Sequence, residues 1–327
     1  MTGTRSVLKH SPDALCIDIV LATYNGELYL KEQIESIQNN KGYKQLVNTF
    51  IIVDDGSSDL TEVIVATAAK TDSKIKWIPS SGQSLGPSGN FCRGIELTAA
   101  PFVMLCDQDD IWFEDKISVS LESVMPYSDS TVPVLAYSEM HIVDSRCNLI
   151  SDSYFKFKKI PFSWPMKWEQ LLQQNTVSGC TSIFNRALVD KSLPIPADAY
   201  MHDWWLALVA KQFGELIFIE KPLIAYRQHQ NNTIGVKKRS ITNVREQFKR
   251  FETSVVDIIK QANAFMYRFD NEMRASGKTV DLTFLSVLAT IPKASLKTKL
   301  LAFKAGLLKR SHLLGTLLLF VVVVFRL

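Results

Sequence analysis

Three carboxylates end an apolar run at Leu105-Cys106-Asp107-Gln108-Asp109-Asp110-Ile111-Trp112. In an extended segment residues i and i+2 point the same way, so Asp107 and Asp109 share a face. Two hard oxygen donors on one face suit Mg²⁺ or Mn²⁺. Mg²⁺ takes one or two carboxylates and leaves its other positions to water and substrate phosphates. The plainer alternative is a solvated acidic turn, but an acidic cluster ending a buried strand needs a counter-charge. A further carboxylate, Asp203, stands in Tyr200-Met201-His202-Asp203-Trp204-Trp205, ahead of the apolar stretch Trp204 to Phe213. It reads as the N-cap of that helix. It also reads as a general base in an aromatic, partly dry pocket, where burial lifts a carboxyl pKa to useful values. The two roles are compatible.

Other polar clusters follow apolar runs. Ala22-Thr23-Tyr24-Asn25-Gly26-Glu27 is either an ordinary turn or a ligand-contacting strand end. In Val53-Asp54-Asp55-Gly56-Ser57-Ser58-Asp59, Ser58 or Asp59 suits a helix cap, and the rest suits hydrogen bonds from a base or ribose. The loop Ser81 to Asn90 carries glycines but no Walker lysine, and the chain has no GxGxxG, so P-loop hydrolysis and dinucleotide-dependent oxidation are disfavoured. Asn90 and Arg93, opening the next helix, are placed to meet a ligand. Tyr226-Arg227-Gln228-His229 offers a histidine that completes a metal shell, or binds diphosphate with Arg227, or sits in a hydrogen-bonded loop. His10, His141 and His312 belong to no constellation.

These clusters need strands and helices to hold them. Short apolar runs at Cys16 to Ala22, Phe50 to Val53, Ile75 to Ile78 and Phe102 to Cys106 read as strands. Helical stripes lie between them: Leu30, Ile34 and Ile37; then Val63, Ile64, Thr67 and Ala68; then Phe91, Ile95 and Thr98. Strand–helix–strand at this spacing means βαβ units and a mostly parallel sheet, with ligands at the carboxyl ends of the strands. Val134 to Tyr137 and Leu216 to Ile219 read as further strands. Met166 to Gln174, Trp204 to Phe213 and Ser240 to Ala275 read as helices. The best boundary is near residue 236.

The chain has 327 residues, 46% hydrophobic and 21% charged, which excludes global disorder and suggests about two domains. Five cysteines without CxxC spacing argue against zinc or a disulfide scaffold and fit a reducing compartment. Met1 to Asp13 lacks the apolar core of a secretory signal. The net charge of +4 is uneven. Leu282 to Leu327 holds no acid and seven bases (Lys293, Lys297, Lys299, Lys304, Lys309, Arg310 and Arg326), leaving a slightly acidic body, which argues against nucleic acid as a partner. Leu296, Leu300, Phe303 and Leu307 form one helical stripe, and Leu313 to Phe325 is almost wholly apolar. At 1.5 Å per residue that plug is about 20 Å long, short of a roughly 30 Å bilayer core. A basic amphipathic helix and an apolar plug read as attachment to an anionic membrane face. The alternative is a helix packed on the protein's own core.

In order, Ala22-Thr23-Tyr24-Asn25, Val53-Asp54-Asp55-Gly56-Ser57, Gly89-Asn90-Phe91, Asp107-Gln108-Asp109-Asp110 and His202-Asp203-Trp204 resemble the motifs of the family 2 glycosyltransferases, over residues 15–235. Cys106 to Trp112 with Tyr226 to His229 is most similar to the bacterial rhamnosyltransferase-like branch. The resemblance implies an α/β fold of GT-A (Rossmann-like) type, a mostly parallel sheet flanked by helices, here with a C-terminal helical extension at 236–292 and a membrane-associating tail at 293–327. It implies a nucleoside-diphosphate sugar donor, Mg²⁺ or Mn²⁺, and inversion at the anomeric carbon. By the same resemblance Ala22 and Tyr24 line the base pocket, with Asn90 also on the nucleotide sugar. Asp55 accepts a hydrogen bond from the pyrimidine, and Asp107 reaches the ribose or a metal-bound water. Asp109 ligates the metal, joined by His229, and Asp203 is the base. A Glu often precedes that Asp in the family; here it is His202.

The expected activity is sugar transfer, with rhamnose among the candidates, to a hydroxyl of a growing cell-surface or lipid-linked glycan. The expected place is the cytoplasmic side of a bacterial inner membrane, peripheral or tail-anchored. A sugar-nucleotide pyrophosphorylase is the alternative enzyme, but Thr23 to Glu27 lacks the basic residues to grip a triphosphate. A non-catalytic sugar-nucleotide-binding protein would not require Asp203 beside Asp109.

Overall fold

In the computed structural model, which describes residues 16–128, 130–229, 244–277 and 279–327, the apolar runs of the first third become strands. β1 (Ile17–Thr23), β2 (Val47–Asp54), β3 (Ile75–Ile78) and β4 (Phe102–Asp107) lie parallel in the order β3-β2-β1-β4. Then come β5 (Ile111–Trp112), β6 (Val134–Asp144), β7 (Leu149–Ser151), β8 (Ser182–Asn185) and β9 (Glu215–Gln228). They extend the same sheet through β8, β6, β9 and β5, with β7 paired to β6.

The parallel expectation holds for the first four strands, and beyond them the sheet is mixed. β8 runs antiparallel to both β4 and β6, β6 and β9 are parallel, and β5 returns antiparallel to β9. The reversals bring chain to the carboxyl end of β4. The register pairs Met104 with Ile183, so the residues just before β8, Gly179 to Thr181, come alongside Cys106 and Asp107. Pairing Ile111 with Ala225 sets Tyr226 to Gln228 beside the acidic turn.

Helices cover both faces, which is why the strands are continuous apolar runs rather than alternating ones. Through the sheet region they are α1 (Leu30–Gln38), α2 (Tyr43–Leu46), α3 (Thr61–Ala69), α4 (Gly86–Glu96), α5 (Lys116–Val124), α6 (Tyr154–Lys158), α7 (Trp168–Gln173), α8 (Arg186–Ser192) and α9 (His202–Phe213). Leu30, Ile34 and Ile37 bury α1 against Ile17, Ile19 and Leu21 of β1. On the other face Phe91 and Ile95 of α4 and the core of α9 meet Val20, Val53 and Leu105. The stripe of α3 differs from its expectation: Thr61 and Val65 are buried and Val63 is exposed. One buried charge inside β1, Asp18, is satisfied by the amides of Ala99 and Ala100 at 2.7 and 2.8 Å and by Asn48.

The C-terminal part is helical: α10 (Val244–Ala275), α11 (Thr279–Thr290), α12 (Leu296–Lys304) and α13 (Leu313–Phe325). The boundary expected near residue 236 lies outside the described residues. The apolar plug of the tail divides between two environments. Leu319, Val322 and Val323 are buried in the same core as Phe265 and Leu285, while Leu313, Leu317 and Phe325 are 76, 54 and 72% exposed. The expected stripe faces outward at Leu296 and Leu300 of α12 and at Leu307 beyond its end, and Lys299 and Ala302 are buried instead. Among the described residues no helix is long and apolar enough to cross a membrane.

Candidate active site

A cleft of about 1410 Å³ opens over the carboxyl ends of β1, β2 and β4. That exceeds the usual 300–1,000 Å³ of a single-ligand pocket, so it has room for two substrates. Ala22, Tyr24, Asp55, Asn90, Asp107, Asp109 and Asp203 all line it. Strand register explains the gathering: Ala22 stands between Val53 of β2 and Asp107 of β4.

Tyr24 is 55% exposed at the rim, its amide held at 2.9 Å by Gln108 of the acidic turn. Asp55 is buried and already engaged. It accepts the amides of Leu85 and Gly86 at 2.7 and 2.9 Å and the Ser84 hydroxyl at 2.7 Å, so it anchors the 84–86 loop over the cleft. Asn90 gives its amide nitrogen to the Val53 carbonyl at 2.9 Å and ties α4 to β2, while its buried Oδ1 has no partner. Arg93 likewise donates to backbone carbonyls, at Asp54 and Pro79.

The acidic turn splits by role. Asp109 Oδ2 lies 2.7 Å from Nε2 of His229, and both side chains are largely buried. Asp110 points inward, fully buried, and accepts the Arg227 amide at 3.2 Å. Burial and the Asp109 charge push the Asp107 carboxyl up to about 7, with Asp203 adding a smaller like-charge contribution. Arg227 is not free to take a diphosphate. Its guanidinium donates to the Asp109 carbonyl at 2.9 Å, to Ser145 and to Glu32 at 2.6 Å, and stacks over Tyr29. It braces the turn.

The counter-charge required by the acidic cluster also comes from Lys116 of α5. This lysine is wholly buried, bonded to the Cys180 carbonyl at 3.0 Å, and lowered to about 8 by desolvation. Sequence reading missed it, though Lys116 lies four residues before Ser120 and eight before Val124, on the buried stripe of its helix.

Asp203 is not the cap of α9. Met201 holds that position, and Asp203 lies in the first turn. Its carboxylate accepts the Gly179 amide at 3.0 Å and the Asn175 side-chain amide at 3.4 Å. Burial lifts its pKa to about 6, against the pull of the Gly179 amide. His202, where a Glu was the family expectation, is buried against Phe91 with ring centroids 4.3 Å apart, and burial lowers it to about 3. It is a neutral packing residue. In the sequence Asn175 stands in the polar stretch Gln173-Gln174-Asn175-Thr176.

Donor atoms of Asp107, Asp110 and Cys180 lie within 4.8 Å of one another, and Asp110 Oδ2 is buried without a hydrogen-bond partner. The oxygen-rich set fits a hard divalent cation, but burial holds the Cys180 thiol protonated, which unsuits it as a ligand. Asp109 and Asp107 open onto the cleft, and His229 stands against Asp109.

The profile described as Glycosyl transferase family 2 matches residues 18–189, more than half of the chain. The chain belongs to this family. Among its relatives, dTDP-rhamnosyl transferase RfbG of Shigella flexneri is 25% identical over 72% of this chain and 83% of its own length. The putative glycosyltransferase EpsH of Bacillus subtilis is 25% identical over 84 and 75%. Of solved structures, S. aureus TarS 1-349 with UDP-GlcNAc superposes with a TM-score of 0.54 at 16% identity, covering 88% of this chain and 83% of that one. The mannosyltransferase PcManGT of Pyrobaculum calidifontis, with GDP-Man and Mn²⁺, gives 0.53 at 15%, covering 94 and 85%. The fold of this family 2 glycosyltransferase is GT-A.

Proposed function

We propose that this protein is an inverting, metal-dependent glycosyltransferase acting on a nucleoside-diphosphate sugar, with dTDP-rhamnose the leading donor. The observation that carries the reading is Asp203, a buried carboxylate raised to about 6, on the same cleft as Asp55, Asp107 and Asp109. Asp107, Asp109 and His229 would hold Mg²⁺ or Mn²⁺, which supplies positive charge against the departing diphosphate. Imidazole in the set favours Mn²⁺. Ala22 and Tyr24 line the base pocket, Asp55 shapes it through the 84–86 loop, and Asn90 fixes its floor.

Asp203 takes the proton of an acceptor hydroxyl. The hydroxyl oxygen bonds to the anomeric carbon from the face opposite the diphosphate, and the bond to the phosphate oxygen breaks with its electron pair. One base suffices for this single displacement, and no covalent nucleophile is required. The Gly179 amide and Asn175 hold the carboxylate in place.

The acceptor reading is a lipid-linked glycan at the cytoplasmic face of a bacterial inner membrane. The relative named GalNAc(5)-diNAcBac-PP-undecaprenol beta-1,3-glucosyltransferase of Campylobacter jejuni, 31% identical over 32% of this chain, supports it. So do the outward leucines of α12 and α13 beside Lys297, Lys304 and Lys309, which suit peripheral attachment to anionic lipid. Donor choice is tested with purified full-length protein, Mn²⁺ and a panel of nucleotide sugars, scoring ligand-induced rise in melting temperature. Stabilisation by dTDP-rhamnose above UDP- and GDP-sugars supports the donor reading; preference for another nucleotide replaces it.

A further inference from the structure

The base end of the cleft is closed by the C-terminal helices rather than by the sheet. The 307–311 turn, between α12 and α13, is laced to the end of α7. Gln173 donates to the Leu307 carbonyl at 3.0 Å and accepts the Lys309 amide at 2.9 Å, and Gln174 exchanges hydrogen bonds with Ser311 at 2.9 and 3.0 Å. The next residue is Asn175, the partner of Asp203. This lacing carries Arg310 into the cleft.

Arg310 is unusually placed for a cation. Among the described residues it makes no ion pair. One guanidinium nitrogen donates to the Gln173 carbonyl, the plane lies over Phe251 at 5.3 Å, and the buried Nε has no partner. Desolvation lowers its pKa to about 10, and the ionisable neighbour acting on it is the phenol of Tyr200. Burying a cation without an anion is costly. Arg250 of α10, which among the described residues also makes no ion pair, lines the same wall with Tyr200, Lys249 and Ser254; the acids there are Glu246 and Asp257, the latter paired with Lys260 at 3.0 Å. A guanidinium fork matches phosphate oxygens. Immediately outside, Leu307, Leu313 and Leu314 flank the turn, 39, 76 and 57% exposed. The arrangement is apolar outside and cationic inside.

We propose that Arg310 and Arg250 form an acceptor subsite that binds the phosphate of a lipid-linked acceptor, whose hydrocarbon lies along Leu307, Leu313 and Leu314. This rests on the reading of Asp203 as the acceptor-side base. It implies that the reaction supplying the substrate leaves a sugar esterified to a lipid phosphate, and that transfer occurs close to that phosphate.

The test is equilibrium binding to full-length protein in detergent micelles with EDTA, followed by tryptophan fluorescence, since the Trp204 ring lies against Tyr200 with centroids 5.2 Å apart. The probes are farnesyl diphosphate, farnesol and inorganic pyrophosphate. Neither donor nor turnover is needed, so failure of the transfer reading does not obscure the result. Farnesyl diphosphate is expected to bind about tenfold or more tighter than farnesol. Arg250→Gln and Arg310→Gln should each remove most of that preference, and Asp109→Ala should keep it. Arg250 is exposed, so its variant folds even where the Arg310 variant does not. Equal binding of the two lipids, or a preference untouched by Arg250→Gln, overturns the subsite. Loss of the preference in Asp109→Ala puts the diphosphate in the donor site and also overturns it. Displacement by equimolar inorganic pyrophosphate overturns the lipid part.

Discussion

Nε2 of His229 meets Oδ2 of Asp109 at 2.7 Å, although 120 residues separate them in the chain. The contact exists because β9 returns antiparallel to β5 and Arg227 braces the Asp109 carbonyl. The pair is thus built by sheet topology.

Asp109→Ala is therefore expected to abolish Mn²⁺-dependent binding of a nucleoside diphosphate in calorimetry. His229→Ala should weaken it by roughly 10–100-fold, since the imidazole both joins the metal set and orients the Asp109 carboxylate. Unchanged diphosphate affinity in Asp109→Ala would remove the metal assignment.

The Asp203 pKa gives two pH dependences. Its carboxyl rises from an ordinary 3.8 to about 6 on folding. The folded state therefore disfavours ionisation, so this contribution to stability is fully present below about pH 4 and is lost as pH rises through 6. Melting temperature of metal-free protein should fall over that window. Transfer, which needs the carboxylate, should rise over the same window and level off above it. A transfer rate independent of pH between 5 and 8 would contradict the assignment.

Much of this was legible in the sequence, and the reasons are local. Asp55, Asp107 and Asp109 were found because apolar runs end at them, and a parallel sheet collects strand ends. Asn90 was found at a helix start, but its role as a tie to Val53 needed the packing of α4 on β2. Lys116 and Asn175 come from segments whose approach to β4 depends on the reversed strand β8, which no periodicity announces. The Val321 to Val324 run has no polar face, so its division into buried Val322 and Val323 and outer Val321 depends on where α10 lies. Asp203 was legible as a carboxylate on the cleft and misplaced as a cap because α9 begins at His202, two residues before the apolar stretch.

Glycine positions test the packing. A Cβ at Gly94 would meet Val20 Cγ1 at 2.3 Å, so Gly94→Ala should destabilise by about 1–3 kcal/mol, read by denaturant unfolding. At Gly179 a Cβ would meet the His202 ring at 3.1 Å and Asp203 Cβ at 3.4 Å. Gly179→Ala should spare most stability yet cut kcat by roughly tenfold to a hundredfold, because the base shifts. A kcat within twofold of wild type would mean the Gly179 amide does not position Asp203.

The outer face of the tail makes a separate prediction. Because Leu319, Val322 and Val323 belong to the core, removing the whole tail would disturb folding and so confound any test of location. Leu313→Glu with Leu317→Glu changes exposed positions alone. Cosedimentation with phosphatidylglycerol vesicles should fall by about tenfold while the melting temperature holds. Wild-type protein that fails to sediment with such vesicles would refute membrane attachment.

The most direct test of the central claim is single-turnover sugar transfer by Asp203→Asn, with donor and acceptor saturating. Asn preserves size and keeps an oxygen for the Gly179 amide, so stability and donor binding should stay near wild type. The account predicts a transfer rate lower by roughly 10²–10⁴-fold, the usual worth of a general base. A variant that transfers at nearly the wild-type rate would contradict it.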